Sequence, residues 1–224
     1  MLPTLFKAGP IEIKSFSVMM MLSLIVGVIL SARRARGRGI DPQKILDAAV
    51  WMVLAGVLGA RIMYVAQEWS YFAKHPEHLW SLRFEGLTSF GGFLFGFFAL
   101  AIWCRIQRIP LVTMLDVYGP PFLVANAIGR VGCLLNGCCY GVQCGPPLGV
   151  HFDGLPSLHH PAQLYEAAMC LVAAAILVFW ERARPRHPGQ IFGLTLVSMG
   201  ICRFIYEFWR AGSVYDVAHG FASS

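Results

Sequence analysis

The sequence predicts an all-α integral membrane protein, a polytopic bundle of about six transmembrane helices. Of its 224 residues, 57% are hydrophobic and only 13% are charged, and the mean hydropathy is +0.60. Soluble proteins carry about 25% charged residues, so this composition favours a chain that faces lipid over most of its length. No stretch is long or polar enough for a second domain, which predicts one transmembrane domain over residues 1–224.

Six apolar segments have the length and composition of spans. A helix needs about 20 mainly apolar residues to cross the hydrocarbon core of a bilayer. The segments are 15–30, 45–66, 90–106, 115–135, 163–180 and 191–209. A positive cluster that begins with Arg33 and Arg34 follows the first segment, whereas a signal peptide carries its positive charge in front. The first segment is therefore predicted to be a retained span.

The distribution of Lys and Arg predicts the orientation. The connections after the first, third and fifth spans contain Arg33, Arg34, Arg36, Arg38, Lys44, Arg105, Arg108, Arg182, Arg184 and Arg186. The N-terminus, the other connections and the tail contain Lys7, Lys14, Lys74, Arg83 and Arg210. Positive charge marks cytoplasmic connections, so the N-terminus is predicted outside, in a multi-pass protein of the bacterial inner membrane. This alternation, rather than a basic face for nucleic acid, accounts for the net charge of +6.

Glycine and proline interrupt several apolar segments. Gly91, Gly92 and Gly96 lie in the third segment, and Gly119 precedes two prolines in the fourth. Non-helical backbone occurs within a membrane only where it is buried in protein or lines a wet cavity. The alternative is close helix packing through small residues, for which Gly92 and Gly96 have the usual four-residue spacing. The sequence leaves both interpretations open.

Three arginines, Arg61, Arg130 and Arg203, lie in the outer halves of predicted spans. A charge at the middle of a membrane costs about 3 kcal/mol on the insertion scale, so each arginine needs a partner or a wet cavity. Arginine is suited to bidentate binding of phosphate, and three arginines at one depth predict an anion site. The alternative is structural pairing with Glu166 and Glu207.

Four of the seven cysteines, Cys133, Cys138, Cys139 and Cys144, cluster in one short stretch. One interpretation is a disulfide from Cys138 or Cys139 to Cys144, which suits the oxidising side of the membrane. A second is a zinc site completed by histidine. The histidines available for it are His151, His159 and His160. A third is a reactive thiol activated by the charge of Arg130.

Four motifs resemble those of the prolipoprotein diacylglyceryl transferase family, in the same order. Residues 129–141, Gly-Arg-Val-Gly-Cys-Leu-Leu-Asn-Gly-Cys-Cys-Tyr-Gly, are similar to its signature Gly-Arg-x-Gly-Asn-Phe-x-Asn-x-Glu-x-x-Gly. Residues 59–64, Gly-Ala-Arg-Ile-Met-Tyr, resemble its Gly-Gly-Arg-Ile-Gly-Tyr. Residues 160–166, His-Pro-Ala-Gln-Leu-Tyr-Glu, resemble its His-Pro-Ser-Gln-Leu-Tyr-Glu, and residues 200–210 resemble its last arginine-bearing helix. The resemblance extends over most of the chain.

The resemblance implies an enzyme that moves a diacylglyceryl group from phosphatidylglycerol in the lipid bilayer to the lipobox cysteine of an exported prolipoprotein. It implies catalytic roles for Arg130 and Arg203, which would stabilise the departing phosphate, and for Asn136 and Glu166, which would order the site. The substrate-binding residues that it implies are Arg61, Arg130, Arg203, Glu207, Arg210, His160 and Tyr165. No cofactor, metal or nucleic acid is expected.

The chain also departs from the family pattern. Cys133 and Cys138 stand where the signature has Asn and Glu, and Phe90 stands where the family has a histidine proposed as a base. The base would then be His160, a cysteine thiolate or water. Two alternatives follow: a phospholipid-binding relative with a different acceptor, or a non-catalytic membrane subunit. In the second case a partner would supply the additional span that the family has beyond Ser224.

Overall fold

A computed structural model describes residues 4–8, 11–73, 75, 88–183 and 187–210. Its helices are α1 (Ser15–Arg36), α2 (Pro42–Gln67), α3 (Trp69–Phe72), α4 (Ser89–Ile106), α5 (Leu111–Asn136), α6 (Ala162–Ala183) and α7 (Gln190–Glu207). Its strands are β1 (Thr4–Ala8), β2 (Ile11–Lys14), β3 (Val150–His151) and β4 (Leu158–His159). Both strand pairs are antiparallel hairpins, β1 with β2 and β3 with β4. The all-α membrane fold predicted from composition is confirmed.

Each predicted span corresponds to one helix. Within the described residues, four helices are long and apolar enough to cross a membrane by length and composition, namely α1, α2, α5 and α6. The other two predicted spans form α4 and α7, each of 18 residues. The described residues thus contain four helices that are long and apolar enough to span a membrane, rather than the predicted six or so, and α4 and α7 are shorter. The orientation stays a prediction, and its charged residues Lys74, Arg83, Arg184 and Arg186 lie outside the described residues.

The chain divides into two compact units, Met1–Ser31 with Leu115–Ser224, and Ala32–Met114. In the first unit, a buried cluster of apolar side chains joins α5, α6 and α7. Its members are Leu123, Ala127, Ala167, Cys170, Ala174, Leu177 and Cys202. Small residues predominate in this cluster, as expected where helices approach closely in a membrane. The interpretation of the whole chain as one domain stays a prediction.

A buried carboxylate fixes the start of α7 against α5. Asp116 accepts hydrogen bonds from the backbone N–H groups of Gly189 (2.8 Å) and Phe192 (2.7 Å). The first N–H groups of a helix have no partner within the helix, and a carboxylate there also interacts favourably with the helix dipole. Next to it, Gly119 lies against Thr195, where a Cβ would be 2.6 Å from the threonine hydroxyl. Helix α5 is continuous through Gly119, and the absence of a side chain at this glycine allows α7 to pack closely against it.

In the second unit, α2 and α4 pack through glycines. A Cβ on Gly91 would lie 2.5 Å from the carbonyl oxygen of Gly59, and a Cβ on Gly59 would clash with the ring of Phe95. Thr88, just before α4, donates both its hydroxyl and its backbone N–H to the carbonyl of Ala60. Since α4 is an uninterrupted helix through its glycines, small-residue packing is confirmed there rather than broken backbone.

The glycine contact predicts a sharp contrast between two Gly→Ala variants. Gly91→Ala should lower the free energy of unfolding in detergent by about 1–3 kcal/mol, because the new methyl group meets the α2 backbone. Gly200→Ala in α7 is the matched control, since nothing lies within 4 Å of a Cβ there. It should be neutral or stabilising by up to about 1 kcal/mol. Thermal unfolding followed by tryptophan fluorescence measures both, and equal effects would contradict the packing argument.

Candidate active site

The centre of the first unit is a buried carboxylate between two arginines. Glu166 lies in the second turn of α6, and its side chain has no exposed surface. One carboxylate oxygen is 2.9 Å from Nη2 of Arg130, and the other is 3.9 Å from Nη1 of Arg203. Arg130 comes from the end of α5 and Arg203 from the end of α7. The carboxylate therefore joins three helices at one depth.

From this centre, side chains of alternating charge continue along α7 and just past its end. Arg203 is 3.5 Å from Glu207, one turn later, and Glu207 is 3.1 Å from Arg210. Residues three and four apart share a helix face, which explains this alignment. Three guanidinium groups and two carboxylates leave one positive charge (3 − 2 = +1). The side chains of Arg203 and Arg210 are each 42% exposed, so this excess charge is accessible.

The ring of Tyr206 contacts both arginines of the centre. The guanidinium of Arg130 lies 5.2 Å from the ring centroid, and that of Arg203 lies 4.8 Å from it. An aromatic face attracts cations, which holds two like charges near each other. The buried Tyr206 hydroxyl donates a hydrogen bond to the carbonyl of Cys139 (3.2 Å). Tyr206 was not predicted from the sequence, although its place three residues after Arg203 puts it on the same helix face.

The connection from α5 to α6 folds back onto the end of α7. Gly141 donates its N–H to the carbonyl of His160, and its backbone forms a single antiparallel β-bridge with that of Arg210. A Cβ on Gly141 would lie 2.5 Å from the carbonyl of Trp209, so glycine is required for this close approach. Nδ1 of His160 is 3.0 Å from the Tyr165 hydroxyl, and the Tyr165 ring lies against Trp209. His160 and Tyr165 thus support the same corner.

Three thiols lie close together at the end of α5, one in its last turn and two just after it. The sulfur atoms of Cys133, Cys138 and Cys139 all lie within 4.8 Å of one another. The predicted catalytic residue Asn136 hydrogen-bonds the thiol of Cys138, so its described contact is with this cluster. Buried Gln163 donates to the carbonyl of Cys138 (2.6 Å). Gln163 was not predicted as a site residue, although it lies within the 160–166 motif.

The pKa values of the two thiols that follow α5, Cys138 and Cys139, are shifted in opposite directions. The pKa of Cys139 is lowered to about 5, mainly by the hydrogen bond from the Cys133 thiol and then by the Cys138 thiol and the charges of Arg130 and Arg210, while partial burial opposes the shift. Burial raises the pKa of the neighbouring Cys138 thiol. A reactive thiol was one of the three interpretations of the sequence, and the structure favours Cys139 for that role.

The predicted disulfide to Cys144 is wrong for this structure. All seven cysteines lie within described residues and all are free thiols. The thiol of Cys138 points back to the carbonyl of Cys133 (3.6 Å), whereas Cys144 is paired through its backbone with Leu158. Sequence proximity brought these cysteines together in the prediction, but the loop directs them to different neighbours.

The zinc site with histidine ligands, one of the three interpretations of the sequence, does not fit the described positions of the histidines. Nε2 of His159 contacts the Ser157 hydroxyl (3.1 Å), and its Nδ1 contacts the carbonyl of Gly141 (2.8 Å). His160 is engaged by Tyr165. Within the described part of the chain, the group of side chains close enough to share an ion consists of cysteines alone.

Arg61 belongs to the second unit. Its guanidinium lies 5.8 Å from the ring centroid of Tyr64 and 5.6 Å from that of Phe72, which anchors the arginine within α2 and α3. Phe90, at the position of the family histidine, is 68% exposed at the start of α4. A substrate-binding role for Arg61 stays a prediction.

The fold and the centre together define a polytopic membrane protein with a positively charged site at the ends of three helices. A family model described as prolipoprotein diacylglyceryl transferase matches residues 3–222. The chain therefore belongs to the prolipoprotein diacylglyceryl transferase family.

Relatives with this activity in their names are similar over most of their length. The phosphatidylglycerol–prolipoprotein diacylglyceryl transferase of Clostridium tetani is 30% identical over 215 residues, covering 94% of this chain and 86% of that protein. The protein of the same name from Synechococcus elongatus is 32% identical over 225 residues, covering 95% and 78%. That from Finegoldia magna is 30% identical over 210 residues, covering 94% and 84%.

The low pKa of Cys139 predicts selective alkylation at acidic pH. Thiolate is the form that reacts, so the labelling rate of Cys139 by iodoacetamide should rise with pH through a midpoint near 5. The midpoint for Cys138 should lie above that of an ordinary thiol. Peptide mapping of protein labelled between pH 4 and pH 9 measures both. Cys139→Ser should lose the labelling at pH 6, and a Cys139 midpoint at or above that of Cys138 would contradict the described environment.

The position of Tyr206 predicts graded effects on stability. Tyr206→Phe keeps the ring between the arginines but loses one hydrogen bond, which should cost about 1 kcal/mol of unfolding free energy. Tyr206→Leu also loses both cation–ring contacts, each contributing about 0.5–2 kcal/mol. Unfolding in detergent should therefore rank wild type, Phe and Leu in descending order. Equal stability of the two variants would show that the ring does not hold the arginines.

Proposed function

We propose that this protein transfers the diacylglyceryl group of phosphatidylglycerol to the lipobox cysteine thiol of an exported prolipoprotein. The observation that carries the proposal is the buried Glu166 carboxylate shared by Arg130 and Arg203, two arginines from separate family motifs. Family membership over residues 3–222 and the names of the relatives support the same reaction. Lipoprotein precursors are modified after export, so the proposal places the protein in the inner membrane with this site facing outward.

The charge balance of the centre suits a phosphodiester headgroup. Arg130 has a partner at 2.9 Å, but Arg203 is 3.9 Å from the same carboxylate and 3.5 Å from Glu207. Arg203 is also 42% exposed, so it can turn to an incoming phosphate at little cost. Arginine matches the geometry of phosphate oxygens with two parallel N–H donors. Glu166 would keep both guanidinium groups in place before the lipid binds.

The reaction requires a good leaving group more than a strong base. The acceptor sulfur forms a bond to the glyceryl carbon while the bond from that carbon to the phosphate oxygen breaks. The thiol proton is released, and glycerol phosphate leaves with the bonding electrons. Negative charge therefore increases on the phosphate in the transition state, where Arg130 and Arg203 would stabilise it. Glu207 and Arg210 would hold Arg203 in place from the next turn of α7.

His160 and the Cys139 thiolate are the two groups of the first unit that this proposal offers as proton acceptors. His160 is held by Tyr165 through Nδ1, which fixes its ring. Cys139 is exposed at the same corner. Water is the third acceptor to be tested. Activity of the variants His160→Gln and Cys139→Ser across a pH series distinguishes these routes.

The replacements Cys133 and Cys138 favour a second candidate function. They stand where the family signature carries Asn and Glu, so the polar groups beside the phosphate site differ. A phospholipid-binding relative that serves another acceptor would keep Arg130, Arg203 and Glu166 and change these neighbours.

The decisive experiment uses cells depleted of their own transferase. This chain is expressed together with a reporter prolipoprotein, and mass spectrometry of the reporter peptide measures the gain of one diacylglyceryl group. A reporter whose lipobox cysteine is changed to serine is the control for position. Expression in the membrane without any gain in mass would refute the transfer to prolipoprotein and favour the second candidate. Binding of phosphatidylglycerol would then be measured separately with the purified protein.

The charge argument predicts which arginines are essential. Arg130→Ala and Arg203→Ala should each lower transfer by about 100- to 1,000-fold, the usual effect of losing one donor that stabilises a developing charge. Arg182→Ala is the matched control, because Arg182 lies in the last turn of α6, at the opposite end from Glu166. It should retain wild-type activity. The in vivo mass assay, and transfer from radiolabelled phosphatidylglycerol in detergent, measure the activity of each variant relative to the wild type.

A further inference from the structure

The turn after α5 gathers three sulfur atoms with the spacing of a metal site. Cys133, Cys138 and Cys139 have their sulfur atoms within 4.8 Å of one another. Three sulfurs bound at about 2.3 Å to one ion in a plane are about 4.0 Å apart. Small rotations about the side-chain bonds therefore suffice to close the triangle. We propose that these three cysteines bind one Cu(I) ion as thiolates.

The backbone of the turn holds the sulfurs together without the ion. Gly137 and Cys139 both have a left-handed backbone, with φ of 73° and 63°. The N–H of Cys138 bonds to the carbonyl of Cys133 (3.1 Å), which closes the turn over the end of the helix. A left-handed backbone at a residue other than glycine persists only where its surroundings impose it. The turn therefore brings two consecutive cysteines back toward the third.

Two neighbouring helices brace this turn from outside. Gln163 of α6 donates to the carbonyl of Cys138, and Tyr206 of α7 donates to that of Cys139. Both donors are buried. The loop is thus fixed at two successive peptide groups. A rigid set of ligands binds an ion without first having to be ordered.

The ligand set selects a soft monovalent ion. Thiolates favour Cu(I), zinc and iron–sulfur clusters over hard cations. Structural zinc and iron–sulfur clusters take four protein ligands, and zinc held by three protein ligands adds a water, whereas three thiolates in a plane complete the coordination of Cu(I). Two histidines of the same loop contact other groups, His159 with Ser157 and Gly141 and His160 with Tyr165. His151 does not belong to the group of described side chains that lie close enough to share an ion.

Positive charge next to the cluster favours the anionic complex. Three thiolates and Cu(I) carry two negative charges (−3 + 1 = −2). Arg130, one turn before Cys133, interacts electrostatically with Cys133 and Cys139, and Arg210 interacts with Cys139. Their attraction opposes the repulsion between the thiolates. Cys139 is exposed, which gives the ion a route into the site.

The test is a titration of the full chain in detergent, reduced and then freed of reductant under nitrogen. Cu(I) is supplied as its coloured complex with bicinchoninate, and loss of colour measures transfer to the protein. We expect one Cu(I) per chain. Cys133→Ser, Cys138→Ser and Cys139→Ser should each weaken binding by more than about 100-fold, since losing even an outer partner of a ligand costs about 10- to 100-fold. Cys144→Ser, in the same loop but outside the cluster, should bind as the wild type does.

A second measurement needs no variant and so is independent of their folding. Wild-type protein is alkylated with and without Cu(I), and each cysteine is followed by mass spectrometry. Protection of the three clustered cysteines, with Cys144 labelled equally in both samples, supports the site. Failure to remove copper from the competitor, or equal labelling of the cluster with and without Cu(I), would overturn it. A parallel titration with Zn(II) tests the choice of ion: tight binding of zinc but not copper would refute the Cu(I) assignment.

Discussion

The ion pairs of Glu166 are the interaction on which the arrangement of the first unit depends. A carboxylate buried in a membrane protein is costly unless it is paired, and here it faces Arg130 at 2.9 Å and Arg203 at 3.9 Å. Removal of one partner would leave an uncompensated charge, so α5, α6 and α7 must meet at one level. The small side chains of the apolar cluster below allow this approach. The stability of the unit and the binding of an anion therefore both require the same close approach of α5, α6 and α7.

Hydropathy predicted the helices well because their length and apolar composition are local properties. The six predicted segments each became a helix, and the arginines at their ends were recognised as an unusual concentration of charge. The hairpins at the N-terminus and between α5 and α6 were not predicted, because short strands leave little periodicity to detect. The sequence left open whether glycines broke the helices or packed them. The answer depends on which residues of the neighbouring helix lie against each glycine, as Gly59 lies against Gly91. Such contacts are a property of the tertiary structure.

The charged residues of the candidate site could be named from the sequence, but the aromatic ring and the turn that contact them could not. Arg130, Arg203, Glu166, Glu207 and Arg210 lie together because their motifs mark helix ends. The ring of Tyr206 between the arginines was missed, because an aromatic residue in an apolar helix has the appearance of ordinary core. The expected disulfide is absent from the structure: Cys138 and Cys139 lie next to Cys133, with a left-handed backbone at Cys139, and Cys144 is a free thiol outside this group. Cysteine gives little warning of such a turn, which is common only for glycine, asparagine and aspartate.

The order of the charged residues along the chain also bears on how the protein is made. Arg130 precedes Glu166 by 36 residues, and Glu166 precedes Arg203 by 37. At the usual speed of translation, each partner therefore follows the previous one by about 2 to 7 seconds. Helix α5 enters the membrane with an arginine whose carboxylate has not yet been synthesised, and α7 enters when that carboxylate is already in place. The pairing of Arg130 therefore waits for α6, whereas that of Arg203 can form as soon as α7 is in place.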